Sequence, residues 1–142
     1  MKRVYVDTNV ILRFITGAPA DQTSQAKRLF KAAEAGELTL ILDEIVLAEA
    51  VWVLSSLYKF SKDDIRDALQ VIIANQGIEM KNEMGALLAL TLYADMNVDF
   101  EDALISVHMG RDRIEEIYTF DKHFKRLPGV IALHPGDFQS KN

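Results

Sequence analysis

Short apolar runs recur along the chain and have the length expected of buried β-strands. They occupy residues 2–6, 38–42, 78–80, 116–120 and 130–133. In the segments that connect the first four runs, apolar residues recur instead with helical spacing. Strands that alternate with helices are typical of a parallel sheet that helices cover on both faces. The pattern therefore predicts an α/β fold with about five strands.

The helical segments begin and end at residues that commonly bound helices. Gly17 ends the first predicted helix, over residues 8–15, and Gly36 ends the second. Asp43 and Ser61 are the expected N-caps of the third and fourth. Two more follow, from residue 82 or 83 to 95 and from 100 to about 109. The fifth is apolar nearly all round, so we expect it to lie deep in the fold.

Length and composition place the chain among ordinary globular proteins. Its 142 residues predict a single domain over 1–142, with a polar C-terminal tail at 135–142. The chain has no cysteine, which excludes disulfides, a thiolate nucleophile and a zinc–thiolate site. Such a composition fits a reducing compartment.

The N-terminus resembles a signal peptide only loosely, because Asp7, Asn9 and Arg13 interrupt its apolar segment. The apolar run from Met84 to Ala94 is too short to span a bilayer. We therefore expect a soluble cytoplasmic protein without a membrane partner. The net charge of −5 argues against broad, non-specific binding to nucleic acid.

Four carboxylates occupy positions that a parallel sheet brings to one edge. Asp7 ends the first strand and Asp121 ends the fourth. Glu49 lies about two turns into the helix after the second strand, and Asp102 lies in the first turn of the helix that leads towards the fourth. Ligands of open α/β sheets bind beyond the carboxyl ends of the strands, where the strand order reverses. We expect all four side chains to converge there.

Each acid taken alone also has an ordinary structural interpretation. Asp7 could cap a helix, Asp102 could favour the positive end of a helix, and Asp121 could be a turn residue. Glu49 is the most informative, because it is the only charged residue from Ile45 to Leu54. We expect it to be partly buried, and a buried carboxylate needs a partner. The functional interpretation rests on the set of four.

Electrostatics limits what four gathered carboxylates can do. Two of them about 4 Å apart repel by about 4 kcal/mol at an effective dielectric constant near 20. A cation would relieve that repulsion, and an all-oxygen site suits Mg²⁺ or Mn²⁺ better than Zn²⁺. Such a site binds one or two ions that activate water and bridge a phosphodiester.

Four short motifs surround the acids: Val-Asp-Thr-Asn at 6–9, Ala-Glu at 48–49, Asp-Phe-Glu-Asp-Ala-Leu-Ile at 99–105 and Thr-Phe-Asp-Lys-His-Phe at 119–124. Together they resemble the PIN domain, and most closely the VapC-like toxins of bacterial and archaeal toxin–antitoxin pairs. The resemblance covers nearly the whole chain. It implies a three-layer α/β/α sandwich with a central, mostly parallel sheet, and a metal-dependent ribonuclease that hydrolyses RNA. It also implies a homodimer and a small antitoxin partner whose tail blocks the site.

The resemblance assigns roles to matching positions of this chain. The acids that hold Mg²⁺ or Mn²⁺ and act in catalysis would be Asp7, Glu49, Asp102 and Asp121, with Asp99 as a further group near the metal. The small polar residues that support the pocket by hydrogen bonds would be Thr8, Asn9 and Thr119.

Basic residues around the last motif offer a local site for RNA despite the negative net charge. The candidates for phosphate contacts are Arg111, Lys122, Lys125 and Arg126, although such a run is more often a solvated surface.

Two other classes of function remain to be compared with a nuclease. Phosphoaspartate chemistry fits poorly: a haloacid-dehalogenase-like phosphatase has a second Asp where this chain has Asn9, and a receiver domain has its phosphoacceptor where Met80 and Lys81 end the third strand. The alternative is a non-catalytic PIN-like module that only binds RNA or protein. Cleavage that is lost on Asp7→Asn would separate an enzyme from such a module.

Overall fold

Strands and helices alternate in the order that the hydrophobic pattern predicts, in a computed structural model that describes residues 1–141. The strands are β1 (Arg3–Tyr5), β2 (Thr39–Ile41), β3 (Ile78–Glu79), β4 (Glu116–Tyr118) and β5 (Ile131–Leu133). The helices are α1 (Thr8–Thr16), α2 (Ala20–Glu34), α3 (Glu44–Ser56), α4 (Lys62–Ile73), α5 (Glu83–Asp95) and α6 (Phe100–Asp112). Two short 3-10 helices, Lys122–Arg126 and Pro135–Asp137, flank β5.

All strand pairings within residues 1–141 are parallel, as expected for strands joined by helical crossovers. β1, β2 and β3 form one sheet in that order, with Val4 opposite Leu40. β4 and β5 form a second sheet, with Ile117 opposite Ala132. The predicted α/β/α fold with parallel strands is confirmed, and its five strands are hydrogen-bonded in groups of three and two.

Side-chain caps begin the helices that follow β2 and precede β3. The Asp43 carboxylate accepts a hydrogen bond from the Ile45 N–H at 2.9 Å, at the start of α3. The Ser61 hydroxyl accepts one from the Asp64 N–H at 3.1 Å, at the start of α4. Both predicted N-caps are therefore confirmed. They satisfy amide groups that have no acceptor within the first turn.

The core is built where α3, α5 and α6 turn their apolar side chains inwards. Leu47, Leu54, Leu90 and Phe100 are all essentially inaccessible to solvent. Phe100 opens α6, so its burial anchors the first turn of the helix that carries the third predicted acid.

One expectation about α5 is wrong, because this helix is not buried on all sides. Met84 is 79% exposed and Leu88 is 51% exposed. α5 packs against α4 and α6, and its remaining apolar side chains face solvent.

The predicted C-terminal tail has local structure in its described part. After the 3-10 helix at Pro135–Asp137, the Phe138 ring packs edge-to-face on Tyr118, with ring centroids 6.4 Å apart. Asn142, the last residue of that tail, lies outside the described residues. Over residues 1–141, no helix has both the length and the apolar character needed to cross a bilayer.

Candidate active site

Asp7 lies just beyond the carboxyl end of β1 and caps α1. Its Oδ1 accepts a hydrogen bond from the Thr8 N–H at 2.8 Å. The ordinary structural role of this residue is therefore present. It is compatible with a second role, because the residue remains exposed and each carboxylate oxygen has more than one lone pair.

Thr8 connects the first predicted acid to the second. Its side chain is only 3% exposed, and its hydroxyl donates a hydrogen bond to Glu49 Oε2 at 3.1 Å. α1 packs against α3, which brings residues 8 and 49 together across 41 positions of sequence. Thr8 therefore lies next to Asp7 in sequence and is bonded to Glu49, and its supporting role in a functional site stays a prediction.

The partial burial that we expected for Glu49 is wrong, since the residue is exposed. Its apolar neighbours on α3 are exposed as well: Ile45 is 76% and Trp52 60% accessible to solvent. The apolar sequence around Glu49 therefore does not enclose it. The hydrogen bond from Thr8, and not burial, holds its carboxylate at the site.

The third and fourth acids are in direct contact. Asp102 is half-buried in the first turn of α6, and its side chain forms a hydrogen bond with that of Asp121. Burial, followed by the negative charges of Asp121 and Asp99, together raise the pKa of Asp102 from its ordinary 3.8 to about 6. The nearby Asp121 carboxylate is thus one reason why Asp102 holds its proton more tightly than an ordinary aspartate does.

Backbone interactions fix the position of Asp121 after β4. Its N–H donates to the Thr119 hydroxyl at 2.9 Å, and its Oδ1 accepts from the His123 N–H at 2.8 Å. The N–H of Thr119 in turn donates to the Leu133 carbonyl at 2.9 Å, which extends the ladder between β4 and β5. Thr119 therefore supports Asp121 much as Thr8 supports Glu49.

The remaining predicted residues fall into two groups. The first group lies near the acids. Asp99 occupies the N-cap position of α6, and its negative charge contributes to the raised pKa of Asp102. Lys122 and Lys125 line a cavity together with Asp121. The others make contacts that do not involve the four acids. Arg126 donates to the Asn97 carbonyl at 2.7 Å, Arg111 pairs with Asp112 at 3.1 Å, and Asn9 lines a groove between α1 and α2.

The four acids thus form two pairs, one linked through Thr8 and one in direct contact. Within residues 1–141, no three Asp, Glu or His side chains are arranged so that they could hold a metal ion together. A single site formed by all four acids stays a prediction.

Sequence reasoning missed two aromatic residues at the same edge as Asp121. Phe120 belongs to the motif at 119–124, which assigns it no functional role, and His134 belongs to none of the four motifs. Their ring centroids lie 5.3 Å apart at the ends of β4 and β5. The signal that could have identified them is the one used for the acids, namely a position directly after a strand.

Comparison with known proteins identifies the family. The sequence pattern described as "PIN domain" matches residues 4–130, most of the chain. This chain belongs to the PIN domain family.

Two known proteins are similar to this chain over most of its length. This PIN domain is 25% identical over 130 residues to the "VapC ribonuclease" of Aquifex aeolicus (strain VF5), a match that covers 92% of this chain and 95% of that protein. A structure of VapBC2 from Rickettsia felis, bound to a DNA fragment from its promoter, aligns with 94% of this chain and 98% of its own at 21% identity. The TM-score of that alignment is 0.37, too low to support a structural argument.

The candidate site of this PIN domain presents several carboxylate oxygens. The Asp102–Asp121 pair offers carboxylate oxygens at a point of concentrated negative charge, and the Thr8–Glu49 hydrogen bond fixes the direction of a third carboxylate. Oxygen ligands of this kind suit hard divalent cations.

Proposed function

We propose that this PIN domain is a divalent-metal-dependent endoribonuclease that hydrolyses RNA phosphodiester bonds, and that it acts as the toxin of a toxin–antitoxin pair. The observation that carries the proposal is the contact between Asp102 and Asp121 at the carboxyl end of β4. The full-length similarity to a protein named VapC ribonuclease supports the same chemistry.

The residues at this edge fit Mg²⁺ or Mn²⁺, as one ion or two. Mg²⁺ commonly uses one or two protein carboxylates and completes its coordination with water and substrate phosphate. Asp102 and Asp121 are the proposed primary ligands, with Asp7 and Glu49 as the other catalytic acids and Asp99 as an additional group. A cation held by Asp102 and Asp121 would offset the burial and the repulsion that now favour the protonated form of Asp102.

A bound divalent ion would supply an activated water and would neutralise charge on the phosphodiester. The protein's own residues orient the acids. The Thr119 hydroxyl and the His123 N–H hold Asp121, and the Thr8 hydroxyl holds Glu49. These fixed hydrogen bonds limit the rearrangement needed when substrate binds.

Partners and location follow from the same proposal. We propose a small antitoxin as the protein partner, a homodimer as the assembly, and the cytoplasm as the site of action. The alternative, a PIN domain that binds RNA without cleaving it, retains RNA affinity but has no turnover under any metal condition.

Cleavage of a labelled RNA with Mg²⁺ or Mn²⁺, compared with the same reaction in a chelator, tests the proposal. Asp121→Asn and Asp7→Asn should abolish cleavage while circular dichroism stays unchanged. Glu37→Gln, an exposed acid in the loop before β2, is the matched control and should cleave normally. RNA binding without cleavage by the wild-type protein would support the non-catalytic alternative instead.

A further inference from the structure

A cavity of about 300 Å³ opens directly beside Asp121, at the carboxyl ends of β4 and β5. Ala132 and Leu133 contribute apolar lining from β5, and Phe120 and His134 contribute two aromatic rings. We call it the β4–β5 cavity. It lies next to the proposed catalytic acids, since Asp121 belongs both to its lining and to the pair with Asp102.

The two rings in this cavity are held in a defined arrangement. They are nearly perpendicular, with an angle of 85° between their planes. The Gly136 N–H donates to His134 Nδ1 at 2.9 Å, which fixes the orientation of the imidazole. Phe120 is nevertheless 76% exposed. A large apolar ring that is positioned but left in water presents a flat surface on which a planar ligand can stack.

Cations lie beside that surface. Lys122 and Lys125 both line the cavity and lie three residues apart on the 3-10 helix at Lys122–Arg126. Side chains three apart on such a helix lie above one another, so the two ammonium groups share one side. In the described part of the chain, neither ammonium group forms a side-chain hydrogen bond or an ion pair. The acids in the same lining are Asp121, which also interacts with Asp102, and Asp137.

We infer that the β4–β5 cavity binds an unpaired nucleotide of the RNA substrate, with its base stacked on Phe120 and an adjacent phosphate on Lys122 and Lys125. This inference rests on the proposed function and specifies its substrate class. A base inside a duplex has both faces covered by its neighbours, so an aromatic platform selects single-stranded segments. The scissile phosphate would then lie near Asp102 and Asp121.

Binding measurements in a chelator test this inference separately from cleavage. Phe120→Ala should weaken binding to a short unstructured RNA about ten-fold, the order expected for loss of one stacked base. Phe120→Trp should retain the affinity. The matched control is Tyr118→Ala, because Tyr118 is a 53% exposed aromatic residue at the end of β4, two residues before Phe120, but does not line the cavity. A fully paired RNA of the same length should bind all these variants equally.

A fluorescent readout reports stacking directly. In a Trp52→Phe/Phe120→Trp variant, the only tryptophan is the one at position 120, and unstructured RNA should quench its fluorescence while duplex RNA should not. With metal present, Phe120→Ala should raise KM with little change in kcat.

The outcomes distinguish this inference from the proposed function. Phe120-dependent binding by a protein that never cleaves RNA would support the nucleotide site and contradict the nuclease. Normal cleavage with an unchanged KM in Phe120→Ala would support the nuclease and overturn the nucleotide site. Equal loss of single-stranded and duplex binding would also overturn it.

Discussion

The hydroxyl of Thr8 donates a hydrogen bond to the carboxylate of Glu49 at 3.1 Å and so connects the first turn of α1 with the middle of α3. The threonine is buried, whereas the glutamate is exposed. Removing this bond therefore leaves a carboxylate that water can still solvate, and its main effect falls on the direction of the Glu49 side chain.

Thr8→Val should reduce RNA cleavage about ten-fold, as is usual when a residue that orients a metal ligand is lost. The free energy of unfolding should fall by less than about 1 kcal/mol, because Glu49 gains water as a partner. Thr8→Ser keeps the hydroxyl and should retain activity. Cleavage rates and urea unfolding measure the two effects. A Thr8→Val protein with full activity would show that Glu49 needs no support.

The raised pKa of Asp102 predicts how stability depends on pH without metal. Between pH 3.8 and about 6, the folded protein binds more protons at this group than the unfolded chain does. Stability should therefore fall as pH rises through this window and stay lower above it. The loss attributable to Asp102 should be about 1–2 kcal/mol once solvent screening of a half-buried group is included.

Asp102→Asn should flatten this pH dependence and stabilise the metal-free protein at neutral pH. Urea unfolding of both proteins from pH 4 to pH 8, in a chelating buffer, provides the comparison. If the wild type and the variant lose stability in parallel as pH rises, Asp102 is not the group responsible.

Mg²⁺ should raise the midpoint of thermal unfolding, because a ligand that binds only the folded state stabilises it by mass action. Asp102→Asn and Asp121→Asn should abolish the increase, and Glu37→Gln should preserve it. Differential scanning fluorimetry at constant ionic strength separates specific binding from screening by salt. An equal increase in all four proteins would reject these aspartates as ligands.

Two glycines give opposite predictions on substitution by alanine. A Cβ at Gly77 would lie 2.2 Å from the Ala33 carbonyl oxygen, so Gly77→Ala should destabilise the fold by about 2 kcal/mol or more. A Cβ at Gly110, within α6, would meet nothing within 4 Å. Gly110→Ala should stabilise by about 0.5–1 kcal/mol, since alanine is the better helix former. Chemical denaturation of both variants measures the difference.

Local sequence signals predicted the elements well because each depends on nearby residues. The caps Asp43 and Ser61 need only the amides of their own first turns, and the apolar runs mark the strands wherever the chain later packs. The position of each acid after a strand or early in a helix followed from these boundaries.

Burial was less predictable because it depends on which faces of a helix other elements cover. α3 and α5 are apolar around most of their circumference, yet Ile45, Trp52 and Met84 are exposed. An acid among apolar neighbours, such as Glu49, is then no more buried than they are. The contact between the Phe120 and His134 rings was also missed, since it depends on tertiary packing between two chain segments.

The division of the strands into groups of three and two has a consequence for the proposed chemistry. Asp7 follows a strand of the larger group and Asp121 a strand of the smaller, and no described hydrogen-bond ladder joins β1 to β4. α3 and α6, which carry Glu49 and Asp102, are in contact, and His108 on α6 lies 2.8 Å from the carboxylate of Glu44 on α3, so this helical contact links the two acid pairs. Substitutions that change volume at that helical contact should alter the spacing between the halves of the site while each half keeps its own hydrogen bonds.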